Sequence, residues 1–174
     1  MIKAVGISGS PRSPSKSRLL VERVLGQLGE GGAQVRLLDL AALPADALLG
    51  RVTDPSVAAA LDAAAHAQIV VAGTPVYRAT YTGLLKTFFD LFPRDALAGV
   101  VGVPVVTGAG PEHTLAVDHG LRPLFASLGA RTIAAAIYAT DSQFPNGAPE
   151  PALVAAVERA TREAEEIAHR VSLS

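Results

Sequence analysis

The sequence predicts an α/β protein built on a five-stranded parallel sheet with helices on both faces. Short apolar runs rich in Val and Ile alternate with longer stretches of helical periodicity, as repeated βα units require. Two of the runs, Ala4-Val5-Gly6-Ile7 and Val100-Val101-Gly102-Val103, have no polar face, which suits strands covered on both sides. The 174 residues, 49% hydrophobic and 18% charged, are enough for one domain with a substantial core.

Strands are expected at 2–7, 34–38, 68–73, 100–106 and 132–138, and helices at 17–28, 56–65, 82–92, 112–128 and 151–171. Gly29, Gly31 and Gly32 stop the first helix, since glycine accepts the left-handed cap. Pro104 in the fourth strand cannot donate to a ladder, so the continuity of that strand is left to the structure. In the last helix Leu153, Val157, Ala160, Ala164, Ile167 and Val171 form one apolar stripe, with Glu158, Arg162, Glu165 and Glu166 on the solvated side. No internal repeat, low-complexity tract or linker divides the chain, so residues 1–174 are expected to form one domain.

Fifteen Lys and Arg against sixteen Asp and Glu provide no net field for nucleic acid or an anionic membrane, and neither is expected as a partner. Without cysteine there is no disulfide framework, thiolate metal site or cysteine nucleophile, and redox chemistry needs a borrowed cofactor. The N-terminal apolar run breaks at Ser8-Gly9-Ser10-Pro11, too early for a signal peptide, and no stretch approaches a membrane span. A cytoplasmic protein is the expectation.

Three loops follow strand ends. After the first strand, Gly9-Ser10-Pro11-Arg12-Ser13-Pro14-Ser15-Lys16-Ser17 leads into a helix, an arrangement that offers free N–H groups and a favourable dipole to an anion. Ser10, Ser15 and Ser17 can donate hydroxyls and Arg12 charge-assisted bonds, which satisfies one phosphate. The same residues also suit an ordinary helix cap and a solvated turn. Neither the nucleotide-triphosphate loop nor the dinucleotide fingerprint is present. After the third strand, Pro75, Val76, Tyr77 and Arg78 can face a flat ring, or Tyr77 and Tyr81 can be ordinary half-buried aromatics. After the fourth, Thr107-Gly108-Ala109-Gly110 lets a ligand approach the backbone, or serves turn geometry alone.

On these segments the chain resembles the NAD(P)H-dependent FMN reductases that serve two-component flavin monooxygenases of alkanesulfonate and methanesulfonate use. The matching stretches are Gly9-Ser-Pro-Arg12 with Ser15-Lys-Ser17, Thr74 to Gly83 with Leu85-Lys86-Thr87, Leu115-Ala-Val-Asp118 and Asp141-Ser-Gln143. The resemblance implies a flavodoxin-like three-layer sandwich of strand order 2-1-3-4-5, FMN and NAD(P)H as cofactors, a monooxygenase partner, and a homodimer or homotetramer. It implies FMN phosphate on Ser10, Arg12, Ser15 and Ser17, and the isoalloxazine between Pro75, Val76, Tyr77 and Arg78 and the opposing Thr107, Gly108 and Ala109. After Leu-Ala-Val-Asp the alkanesulfonate reductases place a tyrosine in a distorted interface helix, tied to whether FMN is transferred or retained; here His119 stands there. Relatives linked to methanesulfonate use also carry a histidine. Because nicotinamide and flavin supply the hydride chemistry, no catalytic acid or base is expected, and His113, Asp118 and His119 are not read as a proton relay. The alternatives are an FMN-retaining quinone or azo reductase and a non-enzymatic flavodoxin-type electron carrier.

Overall fold

The apolar runs assemble into one parallel sheet in a computed structural model that describes residues 1–133 and 135–171. Its strands are β1 (Lys3–Ser8), β2 (Gln34–Asp39), β3 (Ile69–Pro75), β4 (Val101–Gly108), β5 (Arg131–Thr132) and β6 (Ile137–Thr140). They lie in the order β2-β1-β3-β4-β5, with β6 also paired to β4, so the expected 2-1-3-4-5 order holds.

The helices are α1 (Lys16–Glu30), α2 (Ala45–Leu48), α3 (Pro55–Ala65), α4 (Gly83–Phe89), α5 (Arg122–Ser127) and α6 (Pro151–Val171). Successive strand residues point to opposite faces, and β3 shows the consequence. Ile69 and Val71 pack with Leu20 and Val24 of α1 and Val157 of α6, whereas Val70 and Ala72 pack with Val57 of α3, Phe88 of α4 and Phe125 of α5. Two cores thus flank the sheet, one under α1 and α6 and the other under α3, α4 and α5.

Ser15, not Ser17, caps α1: its hydroxyl accepts from the Arg18 N–H at 3.3 Å. At the other end Gly32 adopts φ +90° and Ala33 N–H reaches back to Leu28 O at 2.9 Å, a six-residue closure that only the left-handed residue permits. Gly29, expected among the stop signals, lies inside the helix. In α6 the buried seam runs through Leu153, Val157, Ala160, Thr161, Ala164 and Ala168, with Ile167 at its edge.

Two expected elements are corrected. The strand expected at 132–138 is interrupted, and β4 explains why it can be. Val101 N–H donates toward β3, to Gln68 O, while Gly102 O accepts from Ile133 on the other side. Alternation along the strand turns Pro104, which has no N–H, toward the gap between β5 and β6, and β4 runs through it unbroken. Side chains serve the backbone in that gap: Glu163 accepts from Ala135 N–H at 2.8 Å, and Arg122 donates to Ile133 O.

The helix expected at 112–128 is three different turns: a 3₁₀ turn at Pro111–Thr114, a π-helical turn at Val117–Leu121, then α5. Pro123 supplies the reason. It lacks the N–H that would bond His119 O, and its ring crowds that carbonyl, so the bonding shifts by one residue. Arg122 N–H accordingly donates to Val117 O, five residues back. The helix expected at 82–92 ends at Phe89.

Candidate functional site

Three loops leave the carboxyl ends of β1, β3 and β4, where open α/β sheets bind ligands. Buried hydroxyls tie them together. Thr82, the cap of α4, accepts from Leu85 N–H at 3.1 Å, donates to Gly9 O at 2.6 Å, and offers its own N–H to Thr74 Oγ1 at 3.0 Å. Gly9 N–H in turn donates to Gly73 O at 2.8 Å, and Val76 N–H to Thr107 O at 2.7 Å. The first loop is thus held to the third strand's loop, and that loop to the fourth's. Thr74 and Thr82 were not among the expected site residues. The signal for Thr82 is a hydroxyl residue two positions before the apolar run Leu84-Leu85, the mark of a helix cap.

In the first loop the four expected residues behave differently. Ser10 is buried, and its hydroxyl is spent on the loop itself, donating to Arg12 O at 3.1 Å and accepting from Arg12 N–H at 3.2 Å. Ser15 and Ser17 place their hydroxyls 3.0 Å apart at the start of α1, with Ser17 fully buried. Lys16 and Ser17 are the first two residues of the helix, whose N–H groups have no intrahelical acceptor, so the dipole and these donors point at one spot. Two of the nearby cations are occupied: Lys16 holds Asp141 at 2.8 Å, and Arg18 bridges Glu22 at 2.8 Å and Asp39 at 2.6 Å. The bond it donates to Glu22, with the Asp39 charge, outweighs burial and holds the Arg18 guanidinium more firmly protonated than usual. Arg12 is left, exposed, its guanidinium carbon 6.0 Å from the centre of the Tyr77 ring.

Arg12, Val76, Tyr77 and Arg78 line one cavity of about 410 Å³. Pro75 ends β3 just before it. Tyr77 N–H donates to Thr80 O at 2.9 Å, closing a turn in which Arg78 and Ala79 have φ of 52° and 74°. Thr107, Gly108 and Ala109 do not line that cavity but join it through the bond to Val76. Thr107 and Gly108 are buried at the end of β4, and Ala109 is exposed beyond it. Tyr138 on β6 donates to Gly110 O, and a Cβ on Gly108 would collide with the Tyr138 hydroxyl. Burial, then the charges of Glu112 and Asp141, push the Tyr138 phenol above its usual range, so it stays a neutral donor. A larger cavity of about 610 Å³, bounded by residues such as Gly50, Val52, Pro55, Leu61 and Leu91, contains none of the expected site residues.

His119 is exposed on the π-helical turn, whose Gly120 lies against the 77–80 turn; a Cβ there would be 2.8 Å from Thr80 Oγ1. Asp118 is paired with Arg122 at 2.7 Å. His113 Nδ1 is buried without a hydrogen bond, 3.6 Å from Glu112 Oε1. Among the described residues no cluster of His, Asp and Glu could hold a metal, and no helix is long and apolar enough to cross a membrane.

Comparison with known proteins agrees with this arrangement. The family model for NADPH-dependent FMN reductase matches residues 2–145. The chain is 36% identical over 168 residues to an FMN reductase (NADPH) of Pseudomonas putida KT2440, covering 95% of this chain and 85% of the relative. Among solved structures, an apo NADH:FMN oxidoreductase superposes with a TM-score of 0.85 at 34% identity, covering 98% of this chain and 90% of that one. A flavodoxin of Streptococcus pneumonia TIGR4 shares the fold at a TM-score of 0.64 and 16% identity, covering 95% and 99%.

Proposed function

Since this chain belongs to the NADPH-dependent FMN reductase family and reduces FMN with a nicotinamide nucleotide, we propose that it binds FMN across its three joined loops and hands the reduced flavin to a partner monooxygenase. The observation that carries the binding site is the cavity to which both Arg12, on the loop that leads into α1, and the 76–78 segment contribute. The residues fit the group. Ser15, Ser17 and the first N–H groups of α1 offer donors to one phosphate monoester, Arg12 on the phosphate loop forms no salt bridge among the described residues, and Ser10 fixes the loop that carries Arg12. Pro75, Val76, Tyr77 and Arg78 form one wall for the flavin ring, with the small backbone of Thr107, Gly108 and Ala109 on the other.

Bound FMN supplies the redox chemistry, accepting hydride from the nicotinamide. The protein's part is to hold the phosphate, fix the ring plane and leave one face open for stacking. No side chain is assigned a proton. The transfer to a monooxygenase of the sulfonate-using type, assembly as a homodimer or homotetramer, and a cytoplasmic location with its nicotinamide pool belong to the same proposal. What supports the transfer and the assembly is the π-helical turn carrying His119, against the 77–80 turn, where the resembled reductases hold an interface tyrosine.

The test is NAD(P)H oxidation by purified apoprotein with and without added FMN. We expect turnover that depends on free FMN and saturates with it. Higher kcat/KM for a quinone, with FMN retained through gel filtration, would favour a quinone reductase; no NAD(P)H oxidation would favour an electron carrier.

A further inference from the structure

Two guanidinium groups line one cavity, and a single FMN phosphate accounts for only one of them. Arg12 and Arg78 share the cavity with Val76 and Tyr77, and neither forms a salt bridge among the described residues. Other arginines and lysines on this edge, Lys16, Arg18 and Arg122, each hold a carboxylate within 2.8 Å. Arg12 extends from the phosphate loop. Arg78 sits at the tip of the 77–80 turn, and its backbone is a second, separate observation.

That turn has both central residues at positive φ, 52° for Arg78 and 74° for Ala79. Turns of this kind favour Asn-Gly or Asp-Gly, because a side chain there crowds its own carbonyl. An arginine kept at such a position, exposed and without an acidic partner, points to a task for its side chain. We propose that Arg78 binds the diphosphate of the nicotinamide dinucleotide, placing the reductant over the flavin. This rests on the reductase reading given above. When the nicotinamide ring stacks on the flavin, the dinucleotide's two diphosphate charges must lie outside the stacked rings. The planar fork of a guanidinium at the cavity wall matches them with parallel N–H donors. The diphosphate is common to NADH and NADPH, so Arg78 serves either.

The test compares three hydride donors with saturating FMN: NADH, NADPH and 1-benzyl-1,4-dihydronicotinamide, which carries no phosphate. Arg78→Asn preserves the turn, since asparagine accepts positive φ. Any effect of the substitution on the flavin ring is common to all three donors, so the ratio between donors isolates the diphosphate. We expect kcat/KM for NADH and for NADPH to fall about 10-fold or more relative to the benzyl donor, and Arg78→Lys to recover part of the loss. An equal loss with all three donors overturns the assignment. So does a loss confined to NADPH, which would place Arg78 on the 2′-phosphate, or a matching rise in the FMN Kd, which would place it on the flavin phosphate. The wild type reports separately on the reductase reading: failure to reduce FMN with either dinucleotide removes that reading, whereas unchanged donor ratios in an active variant remove Arg78 alone.

Discussion

Two strand–loop–helix units flank β3 in the sheet, and they solve the same problem differently. β1 runs through the 9–15 loop into α1, a regular fifteen-residue helix with a serine cap and a buried face. β4 runs through the 109–110 turn into a 3₁₀ turn, a π-helical turn and only then α5. The first unit presents a fixed set of donors to an anion. The second gives up regular hydrogen bonding over 111–121, which is where His119 is displayed and where Gly120 meets the 77–80 turn. On the proposed function, rigid recognition falls to the regular unit, and the irregular one carries His119, where flavin retention or transfer would be decided.

The largest effect should come from breaking the regular unit at its base. Gly73 lies under the first turn of α1: a Cβ there would collide with a Val21 methyl and come within 3.1 Å of Ser17 O. Gly73→Val must therefore push α1 off β3, and we expect a loss of about 3 kcal/mol, the upper end for overpacking. Urea unfolding should show it, together with loss of FMN binding, because the helix start would move with the helix. A stability change below about 0.5 kcal/mol would mean that α1 is not seated as described.

Next in size is Arg12→Ala. Removing a charge-assisted bond to a phosphate costs about 1.5 to 3 kcal/mol, so FMN affinity should drop roughly 10- to 100-fold. The kcat at saturating flavin should change far less, because the contact is made equally before and during hydride transfer. Flavin fluorescence titration beside steady-state kinetics separates the two. Unchanged affinity would leave Arg12 as a mere cover over Tyr77.

How legible each unit was in the sequence follows from the same contrast. For β1 and α1, local signals agreed: an all-apolar strand, a serine before a 3.6-residue apolar pattern and glycines after it. Even there the helix starts at Lys16 and not at the expected 17, because Ser15 and Ser17 are equally good cap types and only the bond from Arg18 N–H tells them apart. For the second unit one helix was expected over 112–128, although the contrary signal, Pro123, lies inside it. The break between β5 and β6 is harder, because it depends on which side of β4 Pro104 faces, a matter of register that no local pattern contains. The joining of the first loop to the loop after β3 by Thr82 is likewise a contact across 73 residues of chain.

A smaller effect should come from the irregular unit itself. His119→Tyr leaves the π-helical bonding in place, since that depends on Pro123 and not on the exposed side chain at 119. We expect fold stability to stay within about 0.5 kcal/mol while flavin retention or oligomeric state changes. The fraction of flavin that survives gel filtration, and the mass of the eluting species by light scattering, report these. Unchanged values for both would reduce His119 to a surface histidine.

The smallest effect isolates the support beneath the second unit, and it depends on pH. Tyr138 fastens Gly110 O, and Tyr138→Phe should cost about 1 kcal/mol near neutrality, the worth of one neutral hydrogen bond. Because burial, then the charges of Glu112 and Asp141, raise the phenol above the ordinary 10.0, the folded chain keeps this proton after the unfolded chain has lost it. Stability from this group is therefore complete below about pH 10 and declines as pH climbs from there toward the raised value. The phenylalanine variant has no such proton. Its urea midpoint should start lower at pH 8 and fall less steeply above about pH 10, so that the two proteins converge. Parallel decline across that range would show that Tyr138 ionises as freely in the folded chain as in the unfolded one, and that Gly110 is held by something other than a buried neutral phenol.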